Sequence, residues 1–224
     1  MMNNLFTIFD PSTSNLFSLK WLSMIYIFMF IPLSYWFIPS RNLFMLNLIL
    51  NFLFFEFKSL LNFKIMIFNI FMFLSIFMQI LLNNLLGMFP YIFVATSHMS
   101  ISLSFSFSLW MSFMIFGWMF YSNHMFSHLV PQSTPKILMP FMVIIESVSN
   151  YIRFSTLAIR LSANMIAGHL LMTLISSSSK NLSMIMLLLM IFSQMILVSL
   201  ELAVAMIQAY VFSILSLLYM NEVK

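Results

Sequence analysis

Apolar residues run along this chain in long blocks rather than in alternation. The uncharged block at 21–38 is long enough to cross a hydrocarbon core of about 30 Å at 1.5 Å per residue. Pro32 is set to kink it. The stretch at 42–55 is shorter and dotted with Asn, and lies between Arg41 and the group Glu56, Lys58 and Lys64. It reads as an interfacial helix. Two further crossings are expected at 65–86 and 99–121, the former ended by Asn83-Asn84, Gly87 and Pro90. Residues 122–136, with His124 and His128 among prolines and hydroxyls, read as a loop. The helical pattern then resumes over 138–175 and 182–220, broken by a polar link at 176–181. Residues 1–20 are mixed, with an Asp10-Pro11 turn signal, and 221–224 form a tail. The last two helices would each run about 57 Å, nearly twice the core thickness, so they lie strongly tilted or break. The expected fold is a single all-α integral membrane domain over 1–224. It has five membrane helices, one interfacial helix and a final antiparallel hairpin.

Composition sharpens this reading. Hydrophobic residues make up 62% and charged residues 6%, where an ordinary soluble domain has about a quarter charged. No charged side chain occurs between Lys64 and Lys136. Barrel strands alternate apolar and polar positions, whereas these blocks are apolar all round, so helices are expected. The absence of Cys removes disulfides and iron–sulfur clusters. Nine cations spread over the whole length suit the flanks of a bilayer, not a nucleic-acid face. Three glycines could hardly build a phosphate loop, so no nucleotide site is expected. No cofactor or metal site is expected either.

Phe and Met are abundant and Gly scarce, which points to a gene in an AT-biased genome, such as an organelle's. No arginine-rich leader is apparent, which fits a product made inside the organelle that uses it. In such a chain surviving alanines are informative, and six of the seven lie between Ala158 and Ala209. Small residues let helices approach closely. Arg41, Lys58 and Lys64 follow the first expected span, and Lys136 lies two crossings on. The positive-inside rule then puts the N-terminus outside and the C-terminus inside, with Lys180 a small violation.

Five ionisable side chains sit within the last two apolar helices: Glu146, Arg153, Arg160, His169 and Glu201. A charge at the bilayer centre costs about 2.5–3.5 kcal/mol on insertion scales, and such residues commonly mark ion pathways. Arg160 is too far from either helix end to snorkel easily. It cannot lose its proton, so it can hold a fixed charge and attract a carboxylate but cannot relay. A desolvated carboxyl such as Glu201 can carry a proton near neutral pH, and His169 can relay one. The blander readings are a structural partner of Arg160 for Glu201 and a satisfied core histidine for His169. Glu146 lies near Pro140 and can simply favour a helix N-terminus. Arg153 snorkels or pairs with Glu146. Asn164 follows Arg160 by one turn on the same face, and Gln208 follows Glu201 by two turns. Facing positions of antiparallel helices share a constant sum. The pairs Arg160–Gln208 and His169–Glu201 are mutually compatible, and place the turn near residue 184, past the serine link. Arg160 and His169 are half a turn apart in azimuth, so His169 lines a path beside the surface that carries Arg160.

The segment from Thr156 to Leu171, TLAIRLSANMIAGHLL, resembles the arginine helix of the a subunits of F-type ATP synthases in their mitochondrial form. So do Gly87-Met88-Phe89-Pro90-Tyr91, His128-Leu129-Val130-Pro131-Gln132, Leu138-Met139-Pro140-Phe141 and AVAMIQAYVFSIL at 203–215. The resemblance runs nearly end to end. It implies a stator channel in the mitochondrial inner membrane, N-terminus to the intermembrane space and C-terminus to the matrix. The partners implied are a rotating c-ring whose small subunits each carry a membrane carboxylate, and other membrane and peripheral-stalk subunits. Arg160 matches the essential arginine that separates two proton half-channels. Glu201 and His169 match the pair on the intermembrane-space side, Glu146 the acid on the matrix side, and Asn164 and Gln208 the polar neighbours of the arginine. The family's near-horizontal helix pair accounts for the excess helix length. Phe154 stands where a proline is expected and Ser133 where a glycine is, which touches local backbone shape only.

A haem-binding subunit of the respiratory chain would need paired histidines in facing membrane helices. His98, His124, His128 and His169 do not supply two such pairs. An antiporter-like proton-translocating respiratory subunit would carry membrane lysines, and the central cation here is arginine. A purely structural subunit leaves Arg160 and Glu201 unexplained.

Overall fold

The computed structural model describes residues 5–14, 17–61, 67–89, 92–130, 135–179 and 183–223. Among them every regular element is helical. After a one-turn 3-10 helix at Leu5–Phe9 comes a short broken helix. Its α-helical turn, α1 (Ser23–Tyr26), lies between 3-10 turns at Leu19–Leu22 and Ile27–Phe30. The longer helices are α2 (Arg41–Leu60), α3 (Ile67–Gly87), α4 (Met99–Phe120), α6 (Met139–Ser178) and α7 (Met184–Glu222), with α5 (Ser122–Leu129) between α4 and α6. Five of them are long and apolar enough to cross a membrane.

Three expectations need correction. The block 21–38 is not one helix. Ile31 precedes Pro32, whose ring drives it to φ −77°, ψ 116°, and the helix stops at Phe30. The long apolar helix of this region is α2, which starts after Pro39. The Ser40 hydroxyl accepts the Leu43 N–H at 3.4 Å, capping its first turn. It is longer than the interfacial helix expected at 42–55. Secondly, residues 122–129 form α5, not a loop. Thirdly, the polar link does not interrupt α6 where expected. The hydroxyls of Ser176, Ser177 and Ser178 donate to the carbonyls of Thr173, Leu174 and Ile175, so the helix runs on through them. Lys64, Pro90, Tyr91, Pro131, Gln132, Ser133 and Lys180, used in the sequence reading, lie outside the described residues.

The same device makes a serine-rich helix compatible with lipid. In α4 the hydroxyls of Ser102, Ser104, Ser106, Ser108 and Ser112 each donate to a carbonyl three residues back, at 2.7–3.2 Å. Each of these hydroxyls is satisfied inside its own helix, as an apolar solvent demands.

Helix α7 packs chiefly on α3, and α6 on α4, with α6 and α7 also in contact. One apolar cluster joins Leu53, Phe77, Leu109, Leu161, Ala209 and Phe212 from five helices. A second joins Phe57, Leu61, Ile70, Phe73 and Leu217, so only the later part of α2 is packed. The segment before α4 tucks back under α3. A Cβ on Gly87 would fall 2.7 Å from Val94 Cγ2, and Thr96 Oγ1 donates to Asn84 Oδ1 at 2.9 Å in a buried pair. Val94 then clusters with Met165 of α6 and Ala205 of α7, which seats this segment against both long helices.

Candidate functional site

Helix α6 has two faces around its midpoint. Leu157, Ala158, Leu161, Ser162 and Met165 are buried, at the 3–4 residue spacing of one helical stripe. Arg160, Ala163, Asn164 and Ala167 are exposed on another. Among the described residues no hydrogen bond or ion pair engages the Arg160 guanidinium. Its backbone is engaged. Gln208, 5% exposed, reaches across from α7 and donates Nε2–H to the Arg160 carbonyl. A carbonyl in mid-helix already accepts one bond, so this second one ties α7 to the arginine's own turn.

Antiparallel pairing of α6 and α7 follows from these contacts. Arg160 meets Gln208, Met165 clusters with Ala205, and Gly168 faces Glu201. The register sum drifts by no more than two positions, as the sequence expectation required. One partner changes: Gly168, not His169, lies against Glu201. A Cβ at residue 168 would fall 2.7 Å from Glu201 Cδ and overlap the carboxylate. A side chain here would oblige the Glu201 carboxylate to swing aside. His169 is one residue on, turned by about 100°. Its ring meets Phe9 edge-on, with centroids 6.5 Å apart and planes at 83°. Glu201 Oε1 and Oε2 and His169 Nε2 are all buried, with no hydrogen-bond partner among the described residues.

The other end of the hairpin, where α6 begins and α7 finishes, is built from paired charges. Arg153 Nη1 donates to Glu222 Oε2 at 2.7 Å, and Arg153 Nη2 lies 4.0 Å from Glu146 Oε1. The guanidinium also sits 5.9 Å from the Tyr219 ring centroid. Pro140 occupies the first turn of α6, where its missing N–H costs nothing. Along the helix axis Glu146 lies about 21 Å from Arg160, and His169 about 13 Å the other way.

The pattern of an arginine without a partner among the described residues, between a cluster of carboxyls and a buried carboxyl and imidazole, can be set beside known proteins. The family profile of the ATP synthase A chain matches residues 16–221. The chain belongs to that family. It is 52% identical to "ATP synthase subunit a" of Drosophila melanogaster over 224 residues, and 54% identical to that of Locusta migratoria over 226. The protein of that name from Aedes aegypti is 52% identical over 226 residues. All three alignments cover the whole of both chains.

Within this chain, the six residues singled out from the sequence divide into three places. Arg160 and Asn164 share an exposed face of α6, with Gln208 behind them. Glu201 and His169 lie toward the closed end of the hairpin, and Glu146 at its open end. The alanines divide too. Ala158, Ala205 and Ala209 are buried within the chain, whereas Ala163 and Ala167 are exposed on the face of α6 that carries Arg160, and Ala203 is exposed on α7. The close packing expected of them is thus internal for one set and unfilled for the other. Two residues escaped the sequence reading. Glu222, within the tail expected at 221–224, continues the helical run of α7 and carries one of the chain's five acidic groups. The contact of Gly168 with Glu201 shows only in three dimensions.

Proposed function

We propose that these residues form two proton half-channels on either side of Arg160. As a member of its family the chain is a proton-translocating stator subunit of an F-type ATP synthase, with ATP chemistry on partner subunits. The reading is carried by one observation: the Arg160 guanidinium stands on an exposed face shared with Ala163, Asn164 and Ala167, with no partner among the described residues. An unpaired cation in lipid costs about 2.5–3.5 kcal/mol on insertion scales. A carboxylate on a neighbouring helix would offset that cost, with about 4 kcal/mol of attraction at 4 Å and an effective dielectric of 20. The carboxylates of a rotating c-ring are that partner, docked over Ala163, Ala167 and Ala203. Peripheral-stalk and other membrane subunits cover the remaining apolar faces.

Protons enter past His169 and Glu201, neutralise a ring carboxylate, and leave after nearly a full rotation past Glu146. Glu222 joins Glu146 at the exit, with Arg153 holding the two acids on α6 and α7 near one another. Arg160 takes no proton. It discharges each returning carboxyl by favouring its ionised form, and its fixed charge stops protons from crossing directly. Asn164 and Gln208 hold that face polar and hold the arginine's turn in place. The closed end of the hairpin faces the intermembrane space and the open end the matrix. The orientation rests on Lys136 lying beside the start of α6, and on the N-terminal segment packing at the opposite end, on His169. The membrane is the mitochondrial inner membrane.

The test is proton flux in vesicles holding the assembled complex, with Arg160 intact and as Arg160→Ala. ATP-driven pumping is expected to vanish with assembly preserved, and a passive leak to appear. Pumping that survives the substitution would overturn the reading.

A further inference from the structure

The N-terminal segment makes only one-turn helices and has little core of its own, yet it is folded. The Lys20 ammonium donates to the Asp10 carbonyl at 2.7 Å, closing a ten-residue loop. Inside that loop the Asp10 carboxylate accepts the Ser12 N–H at 3.1 Å, which lowers its pKa below the ordinary aspartate value. Thr13 Oγ1 donates to the Phe17 carbonyl at 2.8 Å. Folded this way, the segment presents two aromatic rings to two histidines. Of the side chains from Phe6 to Phe9 only Phe9 is sheltered, and it is the one that meets His169. Trp21 lies 5.0 Å from the His98 ring, with Phe93 closing the cluster at 5.2 Å from His98. The Nε2 atoms of both histidines are buried without a hydrogen-bond partner among the described residues.

These contacts converge on one place. Met165 precedes His169 by one turn of α6, and Ala205 follows Glu201 by one turn of α7. Val94, which clusters with Met165 and Ala205, stands four residues before His98. The segment therefore lies over the same end of the hairpin as the carboxyl–imidazole pair.

We propose that residues 5–14 and 17–22 form the outer wall of the proton entrance, and that Phe9 is a positioning residue for His169. The inference rests on the half-channel reading above. An imidazole relays a proton by accepting on one nitrogen and releasing from the other. A ring free to tumble, or open to bulk water all round, would pass protons along no fixed route. The Phe9 edge restricts the His169 ring and excludes water from one side of it, so protons reach Glu201 only by way of the imidazole. Trp21 closes the neighbouring gap over His98, where a second route past the pair would otherwise open.

The experiment uses the assembled complex in vesicles and diethyl pyrocarbonate, which modifies neutral imidazoles. Modification of His169 is read by mass spectrometry, with His124 and His128 on the distant α5 as internal references. Phe9→Ala is expected to speed modification of His169 by about two- to tenfold, the factor that loss of an edge-on ring contact implies. His124 and His128 should not change. Pumping should fall with Phe9→Ala and return with Phe9→Tyr, which restores the ring edge. An unchanged His169 rate in assembled Phe9→Ala overturns the wall. A raised rate with unchanged pumping overturns the positioning role. Should Phe9→Ala fail to assemble, Lys20→Met, which cuts the bond folding the segment back, is read in the same way. His169→Asn separates the two readings: retained pumping there removes His169 from the proton path whatever the modification rates show.

Discussion

The two ends of the α6–α7 hairpin treat ionisable side chains in opposite ways. Toward the closed end, Glu201 and His169 are sheltered and their polar atoms have no partner among the described residues. At the open end, Glu146, Arg153 and Glu222 are 35–59% exposed and joined by ion pairs. An unpaired buried carboxyl is an expensive arrangement, and a fold has easy ways to avoid it. A serine or glutamine on α3 or α4 would suffice. Its presence fits the proposed group whose partner is a travelling proton. The open end can rely on water, so there the charges are free to pair and to hold helices together. The comparison teaches that burial and pairing are set separately at each end, according to what reaches it.

Three substitutions would break or sharpen that contrast, in vesicles of the assembled complex. Glu201→Gln keeps the shape and the hydrogen-bonding atoms but removes the titrating proton. It is expected to abolish ATP-driven pumping without loss of assembly, and activity near wild type would reduce Glu201 to a packing role. Gly168→Ala comes next. Its methyl must displace the Glu201 carboxylate or push α6 from α7, an overpacking cost of about 1–3 kcal/mol. Slowed pumping and a lower thermal midpoint of the complex are expected. A fully active, equally stable alanine variant would show that the carboxylate does not sit against residue 168. The smallest effect belongs to Glu222→Gln. The ion pair it removes is exposed and worth about 0–1 kcal/mol. Stability should hardly move, and pumping should fall by less than in either closed-end variant. A loss as complete as that of Glu201→Gln would erase the distinction between the ends.

Much of this arrangement was legible in the linear order of residues, for identifiable reasons. Long apolar runs leave a chain few options besides helices, so α3, α4, α6 and α7 could be read from length alone. The register of the hairpin could be read because Arg160 and Gln208 are costly in lipid and had to be near one another or near a partner. The failures have equally local causes. The run 21–38 looked continuous because hydropathy does not register that Pro32 forbids a helical Ile31. The serines at 176–178 looked like a break because polarity was read without asking where a hydroxyl can donate. The exchange of His169 for Gly168 opposite Glu201 is a rotation of one residue, finer than a constant-sum argument resolves. Glu222 was passed over because a charged residue beside a chain end reads as solvated tail. Its pairing with Arg153 depends on how two helices of forty and thirty-nine residues happen to run out together.

The exposed alanines around Arg160 have a mechanical consequence. Large side chains on two facing helices mesh like gear teeth, and sliding one past the other means unseating each tooth. Ala163 and Ala167 have no teeth to seat. A surface of methyl groups meets a passing helix through contacts of about 0.1–0.2 kcal/mol per atom pair, renewed almost unchanged at each step. Under the proposed docking of a rotating ring, such a patch would act as a plain bearing. It would hold that neighbour near the arginine and offer little ripple to resist its turning.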